Sequence, residues 1–243
     1  MDVIILRPEY PRHLLDKKLF LAGGVLAAFE CKLTLTAQHI EDFIKNSLEI
    51  RAHLEEREGS PYKELQSSII YGLLAHSHSW RAGGSTPIDN IEKKIWAADA
   101  EFIHHPIQMP DLFCVADLAF WTTFKIVFIG PKFSAWSEVS KIYGPNAFAA
   151  STYVCFSKQT SDQIEHFNPV ATMIIVLMNK LCWEYPNLRP LSEYFTISGL
   201  QGAGATDAMR KWDASIYSDE IRNEIELENL KYELSWDEWQ III

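Results

Sequence analysis

The chain opens on a short apolar run, Met1 to Leu6, and the cluster Arg7-Pro8-Glu9-Tyr10-Pro11 then marks a turn. Leu14 to Leu21 reads as an amphipathic linker. Gly24 to Leu35 (GVLAAFECKLTL) is apolar without alternation until Glu30, the pattern of a central strand covered on both faces. The period then changes. Ile40, Phe43, Ile44, Leu48 and Leu54 recur at helical spacing behind Thr36, a residue suited to cap a helix start. This predicts a helix to about Glu58, where Gly59-Ser60-Pro61 stops it. Ser68 to Ala75 (SIIYGLLA) returns to strand and enters a predicted loop over His76-Ser77-His78-Ser79-Trp80. The front of the chain therefore reads β-β-α-β.

Thr86-Pro87 is the start signature of a further helix, with proline at its first position. Ile91, Ile95, Trp96 and Phe102 continue it. Leu112 to Trp121 and Phe124 to Ile129 predict two strands, the second ended by Gly130-Pro131, and Thr152 to Phe156 predicts another. Pro169 to Trp183 is a core helix. Asp219 to about Tyr232 is an acidic one. No fixed-period repeat is present. The fold class expected is α/β, a mixed central sheet flanked by helices. Residues 1–185 form the main domain and 186–243 an extension.

Composition narrows the class. The 243 residues are 48% hydrophobic and 22% charged, which excludes a disordered polymer, a collagen-like repeat and a disulfide scaffold. Cys31, Cys114, Cys155 and Cys182 lie far apart with no C-x-x-C pair, as expected of buried free thiols in a reducing compartment. Val3-Ile4-Ile5-Leu6 is too short for a secretory signal. Val170 to Trp183, broken by Asn179 and Lys180, falls short of a bilayer span. The expectation is a soluble, cytoplasmic protein that does not engage membranes. The formal charge is −10. The stretch from Asp219 to Glu238 holds eight acids against two bases, a solvated helix face or a segment for homodimer or partner-protein contact.

Chemistry concentrates at Asp2 and Glu30-Cys31-Lys32. Glu30 and Lys32 share one face of a strand. If the Asp2 strand pairs alongside, two carboxylates and an ammonium converge at one sheet edge. Oxygen ligands of this kind suit Mg²⁺ (or Mn²⁺), with the Cys31 backbone carbonyl as a further donor. Lys32 would favour the hydroxide form of a water held there and stabilise charge at a phosphate. The alternative is a plain surface pair where the strand emerges.

Asp, a long spacer, then Glu-x-Lys ending an apolar strand before a helix resembles the PD-(D/E)XK nuclease superfamily. The stretches DVIIL, GVLAAFECKLTLTAQHI and IIYGLLAHSH resemble, more closely, the bacterial family catalogued as domain of unknown function 6602. The resemblance covers roughly residues 1–80 and, more loosely, the chain to about 185. It implies a restriction-endonuclease-like core and hydrolysis of DNA phosphodiester bonds, in a bacterial or phage-defence setting. Asp2 and Glu30 would take the metal-ligand positions and Lys32 that of the catalytic lysine. In the resembled family a helix and a strand precede the Asp strand. Here Met1 stands directly before Asp2, so the expected core lacks those two elements. The competing expectation is a silent nuclease fold serving as a binding or regulatory subunit.

Gln38 and His39, in the first turn of the following helix, lie near the same sheet edge. They would contact substrate phosphate, or they are ordinary helix-start polar residues. His76, His78 and His104-His105 lack a third ligand at zinc spacing and read as loop histidines. Asp111 and Asp117 flank Leu112 to Val115 and either add an acidic residue to the site or, the reading preferred, mark a turn and a strand edge. Gly199 to Gly204 has no Gly-Lys-Ser/Thr sequel and reads as a loop. Trp80, Trp136 and Trp212 are the tryptophans in polar surroundings and are kept as substrate contacts.

Overall fold

A computed structural model describes residues 1–17, 19–54, 57–126, 148–158, 167–197 and 204–226. Among the described residues eight strands form one sheet: β1 (Val3–Leu6), β2 (Val25–Leu35), β3 (Ile70–His78), β4 (Leu112–Val115), β5 (Ala119–Ile126), β6 (Ala149–Ser157), β7 (Gly204–Ala205) and β8 (Arg210–Trp212). They run in the order β1-β2-β3-β4-β5-β6, with β7 and β8 both pairing β6 at different stretches. β2, β3 and β4 are parallel. β1 is antiparallel to β2, and β5 through β8 continue antiparallel on the other side. The parallel centre needs crossovers, and helices supply them: α1 (Ala37–Arg51) and α2 (Pro61–Leu65) link β2 to β3, and α3 (Pro87–Phe102) links β3 to β4. The expected mixed sheet flanked by helices is the fold observed.

Both faces of the sheet are covered, which is why β2 reads as a continuous apolar run. On one face Ala28, Tyr71, Leu73, Phe113 and Trp121 pack against Ile40, Phe43 and Ile44 of α1 and Ile91 and Ile95 of α3. On the other, Leu26, Ala27, Phe29, Leu112 and Phe120 meet Met173, Val176, Leu177 and Leu181 of α4 (Pro169–Glu184). Fully burying each of these large side chains contributes about 1.5–3 kcal/mol. Phe29 covers Gly72 so closely that a Cβ there would fall 2.5 Å from its ring, so β3 requires glycine at that point. α4 starts as its sequence predicts: the Asn168 side chain accepts from the Val170 and Ala171 amides, and Pro169 stands in the first turn. Among the described residues no helix is long and apolar enough to cross a membrane.

Beyond α4 come α5 (Arg189–Ile197), β7, β8 and α6 (Asp219–Glu226). Trp212, Tyr217 and Ile221 from this segment join the core face shared with α1 and α3. Arg210 reaches Asp99 of α3 at 2.8 Å, and Tyr153 donates to the same carboxylate at 2.9 Å. Burial nonetheless raises the Asp99 carboxyl above its ordinary value, outweighing both partners.

Several boundaries depart from the sequence reading. α1 ends at Arg51, not near Glu58, and Leu54 packs partly buried against the core from beyond the helix end. Ser60-Pro61 starts α2 instead of merely stopping a helix, its hydroxyl accepting from the Lys63 amide. β3 continues through His78, so His76 and His78 lie on a strand, not in a loop. The strand expected over Leu112–Trp121 is two, β4 and β5, turning at Ala116–Leu118 with Leu118 N–H donating to the Val115 carbonyl at 2.9 Å. Thr122 and Thr123 do not interrupt β5, because their hydroxyls donate to the Asp111 and Pro110 carbonyls. Trp212 is buried on β8 and donates to Ser151, so it is core and not a substrate contact. Trp80 packs partly buried against the core. Cys31 is exposed while the other three cysteines are buried. Residues 127–131, Trp136, 199–203 and the acidic stretch past 226 lie outside the described residues.

Candidate active site

The register of the first hairpin sets Val3 opposite Phe29 and carries Asp2 to the level of Glu30. The Asp2 amide donates to the Phe29 carbonyl at 2.9 Å. Its carboxylate Oδ2 then accepts the Cys31 amide at 2.7 Å. Asp2 therefore grips the peptide unit that joins Glu30 to Cys31. Cys31 itself turns to the opposite face and is exposed, as strand alternation demands.

Glu30 is 7% exposed and fully engaged. Its Oε1 accepts from Asn46 Nδ2 of α1 at 2.7 Å and from the Tyr71 hydroxyl of β3 in a short hydrogen bond. Its Oε2 lies 3.2 Å from Lys32 Nζ. Burial alone would raise the carboxyl; the hydrogen bonds from Tyr71, Asn46 and Lys32, with the Lys32 charge, outweigh it and hold Glu30 below the ordinary carboxylate value. Burial, then the Glu30 hydrogen bond, pushes the Tyr71 phenol well up. Tyr71 therefore remains a donor at any physiological pH. Phe43 stacks on its ring at 4.7 Å and fixes its aim.

Asn46 and Tyr71 were not among the residues picked out from the sequence. A signal existed for Tyr71: it is the one hydroxyl inside the apolar run IIYGLLA, and a buried tyrosine requires a partner. Tyr71→Phe should raise the Glu30 titration and cost about 1.5–3 kcal/mol, the range for a hydrogen bond to a charged group. A carboxyl-carbon NMR titration with urea unfolding measures both; an unmoved Glu30 titration would mean the phenol contributes nothing to holding the charge.

Gln38 and His39 occupy the first turn of α1. Gln38 Nε2 donates to Asp42 one helical turn on, at 2.9 Å. The His39 amide donates to the capping Thr36 hydroxyl at 3.3 Å, while its ring Nδ1 is buried with no partner among the described residues. Asp117 sits in the β4–β5 turn, 3.1 Å from Arg81. Asp111 is neither a turn marker nor part of this site. It is buried at the start of β4, where it accepts the Tyr71 amide at 2.9 Å and pairs with Arg51 at 2.8 Å.

The donor set suits a hard cation. Mg²⁺ is commonly held by one or two carboxylates with water completing the shell. Asp2 Oδ1 accepts no hydrogen bond among the described residues, Glu30 Oε2 meets only Lys32 there, and the Cys31 carbonyl belongs to the same strand edge. No group of three or more His, Cys, Asp or Glu side chains gathers among the described residues, so a cation here would lean on carboxylate pairs, backbone oxygen and water.

No family model matches the chain, and no curated protein matches it. Among solved structures, the cAAA-bound form of NucC from P. aeruginosa ATCC27853 is similar at 19% identity and TM-score 0.28, over 42% of this chain and 41% of that one. The apo form of NucC from E. coli MS115-1 is similar at 17% identity and TM-score 0.27, over 42% of this chain and 44% of that one. The chain thus matches less than half the length of either.

Proposed function

We propose that Asp2, Glu30 and Lys32 form a divalent-metal site that hydrolyses DNA phosphodiester bonds. The reading follows the resemblance to the PD-(D/E)XK superfamily, nearest to domain of unknown function 6602, and its setting would be bacterial or phage defence. One observation carries it: all three motif residues gather around the single peptide unit at Cys31, with Asp2 on its amide and Lys32 3.2 Å from Glu30. A bound Mg²⁺ or Mn²⁺ would supply Lewis-acid polarisation of the phosphate. Glu30 and Asp2 would hold that ion, and the hydrogen bonds from Asn46 and Tyr71 keep Glu30 ionised and aimed. Lys32 Nζ offsets the charge that grows on the phosphate oxygens as water attacks phosphorus and the ester bond breaks. Gln38 and His39 would meet the flanking phosphates at the start of α1.

A second reading keeps the fold and drops the chemistry, leaving a binding or regulatory subunit whose acidic C-terminal helix contacts a second copy or another protein. The −10 formal charge favours it, since DNA is ordinarily held by a basic surface.

Calorimetric titration with Mg²⁺ or Mn²⁺ and a plasmid-nicking assay separate the two. The nuclease reading expects metal binding that disappears in Glu30→Ala. It also expects Lys32→Ala to retain metal while nicking falls by roughly a hundredfold or more. Absence of metal heat in the parent chain removes the catalytic reading. Equal nicking by parent and Lys32→Ala traces the activity to a contaminant.

A further inference from the structure

The chain as a whole carries a formal charge of −10, yet at the end of the sheet away from Glu30 five basic side chains share two acids. Asp111 lies 2.8 Å from Arg51 and 3.6 Å from Lys180, and Lys125 acts on it as a third positive charge. Glu184, in the last turn of α4, lies 2.8 Å from Arg57 and 3.9 Å from Arg7. Positive charge therefore exceeds negative there even when Lys125, brought down to about 7 mainly by burial, has released its proton.

A pocket opens among these groups. Leu26 and Ile70 at the starts of β2 and β3, Gln66 to Ser68, and Lys180 to Glu184 of α4 bound it. The Lys180 side chain is 11% exposed, and its ammonium makes no hydrogen bond among the described residues; Asp111 Oδ1 at 3.6 Å holds it by charge alone. An ammonium has three protons to place and accepts none. The Ser67 hydroxyl accepts twice, from Arg51 at 2.7 Å and from the Ile69 amide at 3.1 Å, and its own proton has no acceptor among the described residues. Lys180, Ser67 and Ser68 all line the pocket and are half-buried, not sealed in the core. Asp111 Oδ2 is turned away to Arg51 and the Tyr71 amide. Charges taken out of water are paired and hydrogen-bonded, so the surplus of cations and the idle donors both call for an anion.

Size narrows its identity. The pocket measures about 30 Å³, close to the share of one water in the liquid. That admits a single monatomic ion and leaves no room to enclose a phosphate or an organic acid. We propose that this pocket binds a halide, chloride in ordinary salt, which accepts from Lys180 Nζ and Ser67 Oγ with Arg57 at its rim. The site uses none of Asp2, Glu30 and Lys32 and stands or falls apart from the nuclease reading.

The test is the chloride-35 NMR line width of sodium chloride with the parent protein, at ionic strength held constant with sodium gluconate. Excess broadening is expected, removed saturably by bromide and left in place by inorganic phosphate. Lys180→Met retains the apolar stem without the charge and should weaken chloride roughly tenfold or more. Arg57→Gln, at a partly exposed position, should weaken it by a smaller factor. Both variants keep the Arg51–Asp111 pair, and melting in gluconate reports whether each is folded; if Lys180→Met is not, Arg57→Gln carries the comparison. The parent should melt higher in chloride than in gluconate, and a folded Lys180→Met should not. No bromide-sensitive broadening in the parent, or broadening equal in the parent and the folded variants, leaves water alone in the pocket and overturns the proposal. Displacement of chloride by phosphate overturns it as well.

Discussion

Arg51→Ala is expected to destabilise the protein by on the order of 4 kcal/mol, the range for breaking a buried ion pair from one side. The Arg51 side chain is 3% exposed and Asp111 6%. The guanidinium ties α1 to two other stretches of chain: Ser67 and Ile69 just before β3, and Met109 and Asp111 just ahead of β4. Removing it leaves two carbonyls and one carboxylate short of a donor. Lys180, 3.6 Å from the other Asp111 oxygen, compensates in part. Burial alone would raise the Asp111 carboxyl, but Arg51, Lys180 and Lys125 together hold it below its ordinary value. Loss of the largest of these charges lets it climb. For a chain of this size the melting temperature should fall by roughly 10 °C, read by calorimetry. A change below about 1 kcal/mol would show that the pair behaves as a solvated one.

Lys125 should give the protein a pH dependence of the same sense as an acid-labile carboxylate, but placed at neutral to alkaline pH. Its ammonium is buried and donates to the Leu65 carbonyl at 2.8 Å. Burial, aided by Arg51 and Lys180 and opposed by Asp111, brings its pKa from 10.5 down to about 7. Between those values the unfolded chain holds a proton that the folded chain has released, so stability climbs with pH through the window and levels off above it. The slope approaches ~1.4 kcal/mol per pH unit for one proton. The buried thiols act in the other direction. Cys114, for instance, is pushed by burial from 9.0 to about 12, so alkali ionises it in the unfolded chain first and stability falls. Comparing Lys125→Met with the parent cancels that contribution. Urea unfolding from about pH 7 to pH 9 should show the parent gaining about 2 kcal/mol on the variant, apart from a constant of about 1 kcal/mol for the lost Leu65 hydrogen bond. A pH-independent difference would mean that Lys125 stays charged in the fold.

The parts of this fold visible in the sequence are those with an unbroken period. β2, the start of α1 at Thr36 and all of α4 follow from apolar runs and capping residues alone. The parts missed are those where a polar residue does the packing. Leu48 and Leu54 pack only partly buried against the core; the fully buried positions of α1 are Ile40, Phe43, Ile44, Ser47 and Arg51, and apolar spacing alone passes over the last two. Reading Arg51 as a member of the stripe would have ended the helix in the right place and demanded a buried acid, which is Asp111. The β4–β5 turn was hidden likewise, because Asp117 sits amid apolar residues and the threonines that look like a break are bonded inside. In the candidate site the triplet Glu30-Cys31-Lys32 was legible from strand parity. The residues that hold Glu30 were not, since Asn46 and Tyr71 lie 16 and 41 positions away and meet it only once α1 and β3 have packed.

β1 is the outermost strand, a four-residue ladder over Val3–Leu6 with single bonds from Asp2 and Arg7 at its ends and an irregular step between Ile5 and Leu6. Short edge strands open at a small fraction of the global unfolding cost. The Cys31 amide should therefore exchange its proton with solvent whenever β1 lifts, while the Tyr71 amide, locked on Asp111, waits for far rarer openings. An acid carried on such a strand is seated only part of the time. Any ion it grips helps to fasten the strand in turn, so occupancy of the corner and closure of the hairpin are one coupled equilibrium.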